Sequence, residues 1–202
     1  MTRLSRILRD RRGASGAEFA LIVPLLVILL FGVIDGGRFL WEYNRAEKAT
    51  QMGVRFAAVG DPVIGSGFYD YSFSINDGVP QGSSVPTTDF DNATCTEGSC
   101  NCVGGSVCDE VAYDAAAFQN IVDRMNAMYP QIEAAGVQIE YKNVGLGYAG
   151  DPNGPDVAPL LTIRLTDLTF HPITCLVFAC SVSMPEFRAS LTGEDLAGSV
   201  SH

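Results

Sequence analysis

The residues of this chain with the most chemistry to offer are six cysteines, at positions 95, 100, 102, 108, 175 and 180, with none earlier. An even number confined to one part of the chain predicts three disulfides and an oxidising compartment. The spacing Cys95-x4-Cys100-x-Cys102-x5-Cys108 lacks the paired C-x2-C knuckles of structural zinc sites. His171 and His202 are poorly placed to complete such a site, so no metal is expected. Six cysteines allow fifteen pairings. Cys175 and Cys180 bracket Leu-Val-Phe-Ala and are expected to bridge locally; the sequence leaves the other four open.

Other constellations offer less. Gly145-Leu-Gly147-Tyr-Ala-Gly150 matches G-x-G-x-x-G, but Asp151-Pro-Asn-Gly-Pro-Asp156 follows where a dinucleotide site needs a helix, so a glycine-rich hairpin loop is expected. Asp151, Asn153 and Asp156 could offer oxygens to calcium, without the twelve-residue loop and terminal glutamate of an EF-hand, and the sequence does not decide between an ion and an acidic turn. No G-x-S-x-G is present. With every cysteine oxidised and His171 beside Pro172, the chain is poor in nucleophile and base, so neither enzymatic activity nor a cofactor is expected. A net charge of −10 would repel phosphate backbones, which argues against a nucleic-acid partner.

The charge is unevenly spread. Residues 1–13 hold Arg3, Arg6, Arg9, Arg11 and Arg12 against Asp10 alone. Phe19–Ile34 then runs for sixteen residues without a charge, bounded by Glu18 and Asp35. At ~1.5 Å per residue this is roughly 24 Å, a short span for a hydrocarbon core of about 30 Å. A cleaved secretory signal fits less well, because the run is long for one and ends in Asp35-Gly-Gly-Arg-Phe-Leu-Trp-Glu-Tyr instead of a small-x-small site. Arginines ahead of the span predict a cytoplasmic N-terminus and export of residues 41–202.

A carboxylate at the lip of a span needs a partner, since burying one at a bilayer centre costs roughly 2.5–3.5 kcal/mol on insertion scales and less near the edge. A cut after Gly13 would supply it, by leaving a new α-amino group on Ala14 four residues before Glu18. The order Arg11-Arg12-Gly13-Ala14-Ser15-Gly16-Ala17-Glu18, ahead of an apolar helix, resembles the processing site of type IV prepilins. The continuation Glu18-Phe19-Ala20-Leu21-Ile22-Val23-Pro24-Leu25-Leu26 is similar to the start of TadE-like minor pilins of the tight-adherence (Flp) pilus. The Glu194-Asp195-Leu196 tail is also similar, whereas the cysteine-rich insert has no counterpart.

This resemblance implies a bacterial inner-membrane precursor with its C-terminal domain in the periplasm, or extracellular once assembled. Its implied partners are prepilin peptidase, other pilin and minor pilin subunits, the inner-membrane assembly platform, and membrane lipid before assembly. Gly13 and Ala14 become the processing pair, and Glu18, Phe19 and Pro24 the assembly residues. The length and Phe19 point to a minor pilin; major Flp pilins are shorter and usually have Tyr there. The rival reading is an uncleaved single-span inner-membrane protein with a disulfide-rich periplasmic binding domain.

The elements that must carry these residues describe an α+β chain: a basic leader at 1–13, a long helix over 14–60 whose residues 17–40 span the membrane, and an exported domain at 61–202 with a cysteine-rich insert at 95–108. Phe39, Leu40, Tyr43, Ala46, Ala49, Thr50, Gly53, Val54 and Ala57 form a helical stripe, with Glu42, Arg45, Glu47 and Lys48 on other faces and Arg38 spaced to pair with Glu42. Pro24 should kink the helix, and Gly60-Asp61-Pro62 should end it. Phe68–Ile75 alternates as a first strand; the rest of 61–110 reads as disulfide-stapled loop. A second helix is predicted over 113–132, ending near Pro130, with Ala116, Phe118, Ile121, Val122, Met125, Met128 and Tyr129 inward. Val137–Tyr141, Leu161–Phe170 and Ser183–Leu191 complete an antiparallel sheet.

Overall fold

The computed structural model describes residues 14–65, 78–105, 107–108, 111–151, 156–175, 180–193 and 196. The basic leader and the strand expected over 68–75 lie outside them. Helix α1 is Ala14–Ala57, 44 residues, and Pro24 sits inside it without ending it. The chain divides into two compact units: Met1–Trp41 with Phe170–Val182, and Glu42–Thr169 with Ser183–His202.

In the second unit, strands β1 (Phe90–Thr96), β2 (Ser99–Gly104), β3 (Val137–Lys142), β4 (Leu160–Leu165) and β7 (Phe187–Thr192) form one antiparallel sheet in the order β2-β1-β3-β4-β7. Two short strands, β5 (Thr169–Phe170) and β6 (Val182–Ser183), make a separate ribbon. Alternation puts Ala93, Cys95, Ile139, Tyr141, Leu161, Ile163, Leu165 and Phe187 on the buried face. Glu140, Arg164 and Glu186 form an ion-paired cluster elsewhere on the sheet, with Arg164 3.0 Å from Glu140 and 3.6 Å from Glu186.

The second half of α1 contributes Ala46, Ala49, Thr50, Gly53, Val54 and Ala57 to this core. Small side chains there let the helix axis approach closely. A Cβ added at Gly53 would lie 2.8 Å from the Met125 Cγ and Sδ and 3.2 Å from the Ile163 Cδ1. Tyr43 meets Phe187 edge-on at 4.9 Å. Helix α2, Ala115–Asn126, starts where the Asp114 carboxylate accepts the Ala116 and Ala117 N–H groups, and buries Ala117, Phe118, Ile121, Val122 and Met125. It is shorter than the predicted 113–132, and Ala116 faces outward in place of Ala117.

Two positions on α1 reverse the sequence expectation. Leu40, assigned to the inner stripe, is exposed, and Glu42, assigned to an outer face, is buried. Glu42 is drawn in by Tyr129, whose hydroxyl reaches its carboxylate at 3.3 Å and the Gln131 amide oxygen at 2.8 Å, its single proton serving one at a time. Beside it the Arg45 guanidinium donates twice to the Met128 carbonyl, at 2.9 and 2.6 Å, and lies over the Tyr129 ring. These donors occupy a carbonyl that the end of α2 would otherwise leave open.

The region expected to be loop holds the β1–β2 hairpin, turned by Glu97-Gly98 with Gly98 at φ +87°. Its strands are largely polar, so they lacked the alternation that marks a half-buried strand. Each of the two long C-terminal strands is divided. Asp167, at φ +61°, breaks the first between β4 and β5, and Pro185 stands between β6 and β7.

Candidate processing and assembly segment

Gly13 lies outside the described residues, and Ala14 is the first residue of α1. Glu18 and Phe19 are exposed on the next turn, and no described residue is paired with Glu18. From Phe19 to Ile34 only Val23 and Phe31 are partly covered; the rest are exposed, Leu21 to 80%. Among the described residues one helix is long and apolar enough to cross a membrane, Gly16–Ala57, and no residue of its most apolar stretch is buried. An exposed apolar surface of this length is consistent with a membrane span.

The other end of this stretch is organised in a way that sequence reasoning missed. Asp35 is buried, and its carboxylate accepts the Ile173 N–H at 2.7 Å, the Thr174 N–H at 2.8 Å and the Thr174 hydroxyl at 2.9 Å. Arg38 lies 3.5 Å from the same carboxylate and over the Phe170 ring, and Phe39 meets Phe170 edge-on at 5.4 Å. The demand that made Glu18 conspicuous, a carboxylate at the lip of an apolar run, applies equally to Asp35. The pattern pointed at the need and not at a partner 138 residues away.

All six cysteines are paired: Cys95–Cys100, Cys102–Cys108 and Cys175–Cys180. The first joins facing positions of the β1–β2 hairpin, and the third closes the local loop the sequence predicted. No group of three or more His, Cys, Asp or Glu suited to a metal occurs among the described residues. His171 is exposed. Gly145, Gly147 and Gly150 have φ of +77°, +85° and +76°, the left-handed backbone of tight turns. Gly147 lies so close to the Asp156 carbonyl oxygen that a Cβ would come within 2.8 Å of it, and Asp156 Oδ1 accepts the Gly150 N–H. The neighbouring Asp151 charge, with burial, raises the Tyr148 pKa. Asn153, the third oxygen donor considered for calcium, lies outside the described residues.

Residues 13–55 match the model of the TadE-like protein family. The matched stretch runs from Gly13, through the apolar half of α1, into the half that packs on the sheet. This TadE-like segment, about a fifth of the chain, suggests a protein related to the tight-adherence pilus, with pilus-related partners in general. No curated protein and no solved structure matches the chain.

Proposed function

We propose that the protein is a minor pilin of a tight-adherence pilus, a structural subunit that performs no reaction of its own. It is made as a membrane-anchored prepilin with a cytoplasmic N-terminus and an exported C-terminal domain. Prepilin peptidase cuts between Gly13 and Ala14, and the mature subunit then enters the filament or the complex that initiates it. The observation carrying this reading is the TadE-like match over residues 13–55, which ends in the helical half seated on the sheet and includes the half left bare. In a filament the bare half packs against other subunits in place of lipid. Glu18 pairs with the Ala14 amine of a neighbouring copy and so sets axial register, since an unpaired charge in that core is heavily penalised.

Intact mass and N-terminal sequencing of protein taken from membranes test the processing step: Ala14 should be the first residue. Gly13→Val should accumulate a precursor heavier by the leader. Glu18→Ala should still insert, because losing a carboxylate eases insertion. It should fail to co-purify with pilus components, since the neighbouring ammonium is left unpaired, a defect of about 3–5 kcal/mol. A wild-type chain never cut at Gly13 would favour the uncleaved single-span binding protein.

A further inference from the structure

The segment from Leu168 to Pro185 carries no Asp, Glu, Lys or Arg, in a chain with 36 such residues and a net charge of −10. Its middle, Phe170–Val182, belongs to the compact unit of the apolar helix and not to that of the sheet. Its attachment is specific: two backbone N–H groups and a hydroxyl, from Ile173 and Thr174, converge on Asp35, the first residue after the apolar run. Leu40 and Trp41, one turn further along the helix, are exposed.

These placements answer a difficulty with the span. A run of roughly 24 Å falls short of an ordinary hydrocarbon core of about 30 Å, so Asp35 falls at or inside its edge. Bulk water cannot fully solvate a carboxylate there. Ile173 and Thr174 supply the donors that water would have supplied, and Arg38 lies beside them. The segment doing this is neutral, so anionic headgroups do not repel it, and the exposed Trp41 is the kind of residue that collects at membrane interfaces.

We propose that the Phe170–Thr174 stretch and the Cys180–Val182 stretch, held on α1 by Asp35, are a lipid-interface element: they dock in the headgroup region at the Asp35 end of the span and extend its apolar length. The ligand is the bilayer surface itself. This inference rests on reading α1 as a membrane span, and the experiment separates the two.

The full chain is reconstituted into vesicles of phosphatidylethanolamine and phosphatidylglycerol containing lipids brominated at graded acyl depths. Trp41 is the chain's one tryptophan and reports directly in the wild type. In a Trp41→Phe background, single tryptophans are introduced by Ile173→Trp, Ser181→Trp, Leu30→Trp and Val144→Trp, the last at an exposed position in the other unit. Tryptophans at 41, 173 and 181 should be quenched most by the shallowest bromines, and by aqueous acrylamide several-fold less than the tryptophan at 144. Acrylamide quenching at 173 and 181 equal to that at 144, with deep bromine quenching at 30, would overturn the proposal while leaving the span intact. Absence of bromine quenching at 30 would remove the span and the proposal together. Protection at 173 and 181 found only in assembled filaments would assign the surface to a second copy of the chain and overturn the proposal likewise. Ser181 is exposed, so Ser181→Trp keeps the question open to decision even if Ile173→Trp disturbs the fold.

Discussion

Removing one oxygen atom from the core should reveal how the end of α1 is fixed to the sheet. The Tyr141 hydroxyl on β3 accepts the Val63 N–H at 2.9 Å, and both residues are fully buried. Tyr141→Phe keeps the ring and nearly all its buried area, so the hydrophobic contribution is unchanged; what disappears is the acceptor. The turn cannot swing Val63 out to water at little cost, because Asp114 N–H donates to the Val63 carbonyl at 2.8 Å and Ala112 N–H to the Ile64 carbonyl at 3.1 Å. A buried donor left unmade costs about 1–3 kcal/mol. At about 2–4 °C per kcal/mol for a unit of this size, thermal unfolding of the full chain in detergent micelles should fall by roughly 2–12 °C. Tyr113→Phe is the control, since the Tyr113 ring meets Phe118 at 5.9 Å and that contact survives. A Tyr141→Phe melting temperature equal to wild type would refute the reasoning and imply that water or another acceptor serves Val63.

Three further outcomes are expected. Gly53→Leu should destabilise by about 1–3 kcal/mol or more in the same melts, because even a Cβ at that position crowds Met125 and Ile163. Asp114→Ala should cost about 0.5–2 kcal/mol through the two α2 N–H groups it caps, read by denaturant titration. Burial, reinforced by the Glu42 carboxylate, pushes Tyr129 up to about 12, and burial pushes Tyr141 higher still. The folded chain therefore keeps protons that the unfolded chain loses above its ordinary tyrosine pKa near 10. Stability is whole below that pH and falls as pH rises towards 12, and Tyr129→Phe should flatten the fall in melts taken across that window.

The sequence disclosed those features that depend on one periodicity over many residues. Sixteen uncharged residues mark a helix segment that stands exposed and is apolar enough to cross a membrane, and Ala46, Ala49, Thr50, Gly53, Val54 and Ala57 declare the face that seats on the sheet. It misread features decided by a distant partner. Glu42 looked like a solvent-facing charge because nothing nearby announces Tyr129, and Asp35 looked like the mere end of a span because its donors come from Ile173 and Thr174. Strands β1 and β2 escaped notice for a different reason: Phe90, Ala93 and Cys95 of β1 are buried but sit among polar residues without strict alternation, β2 buries nothing, and their pairing is defined by a Gly98 turn and a cross-strand disulfide. Of the residues proposed for processing and assembly, Ala14, Glu18, Phe19 and Pro24 lie on α1, and Gly13 lies outside the described residues.

The three disulfides join the cysteines in consecutive pairs, first to second, third to fourth and fifth to sixth, at separations of 5, 6 and 5 residues. Of the fifteen arrangements open to six cysteines, this is the one in which order of appearance alone selects the partner. A chain oxidised progressively from its N-terminal side would meet the right thiol first every time, and would need an oxidant but no enzyme to shuffle mistaken bonds. Each ring is small enough to contribute only roughly 2 kcal/mol by loop entropy. What consecutive pairing offers instead is fidelity, because each loop can close without involving the cysteines of the next.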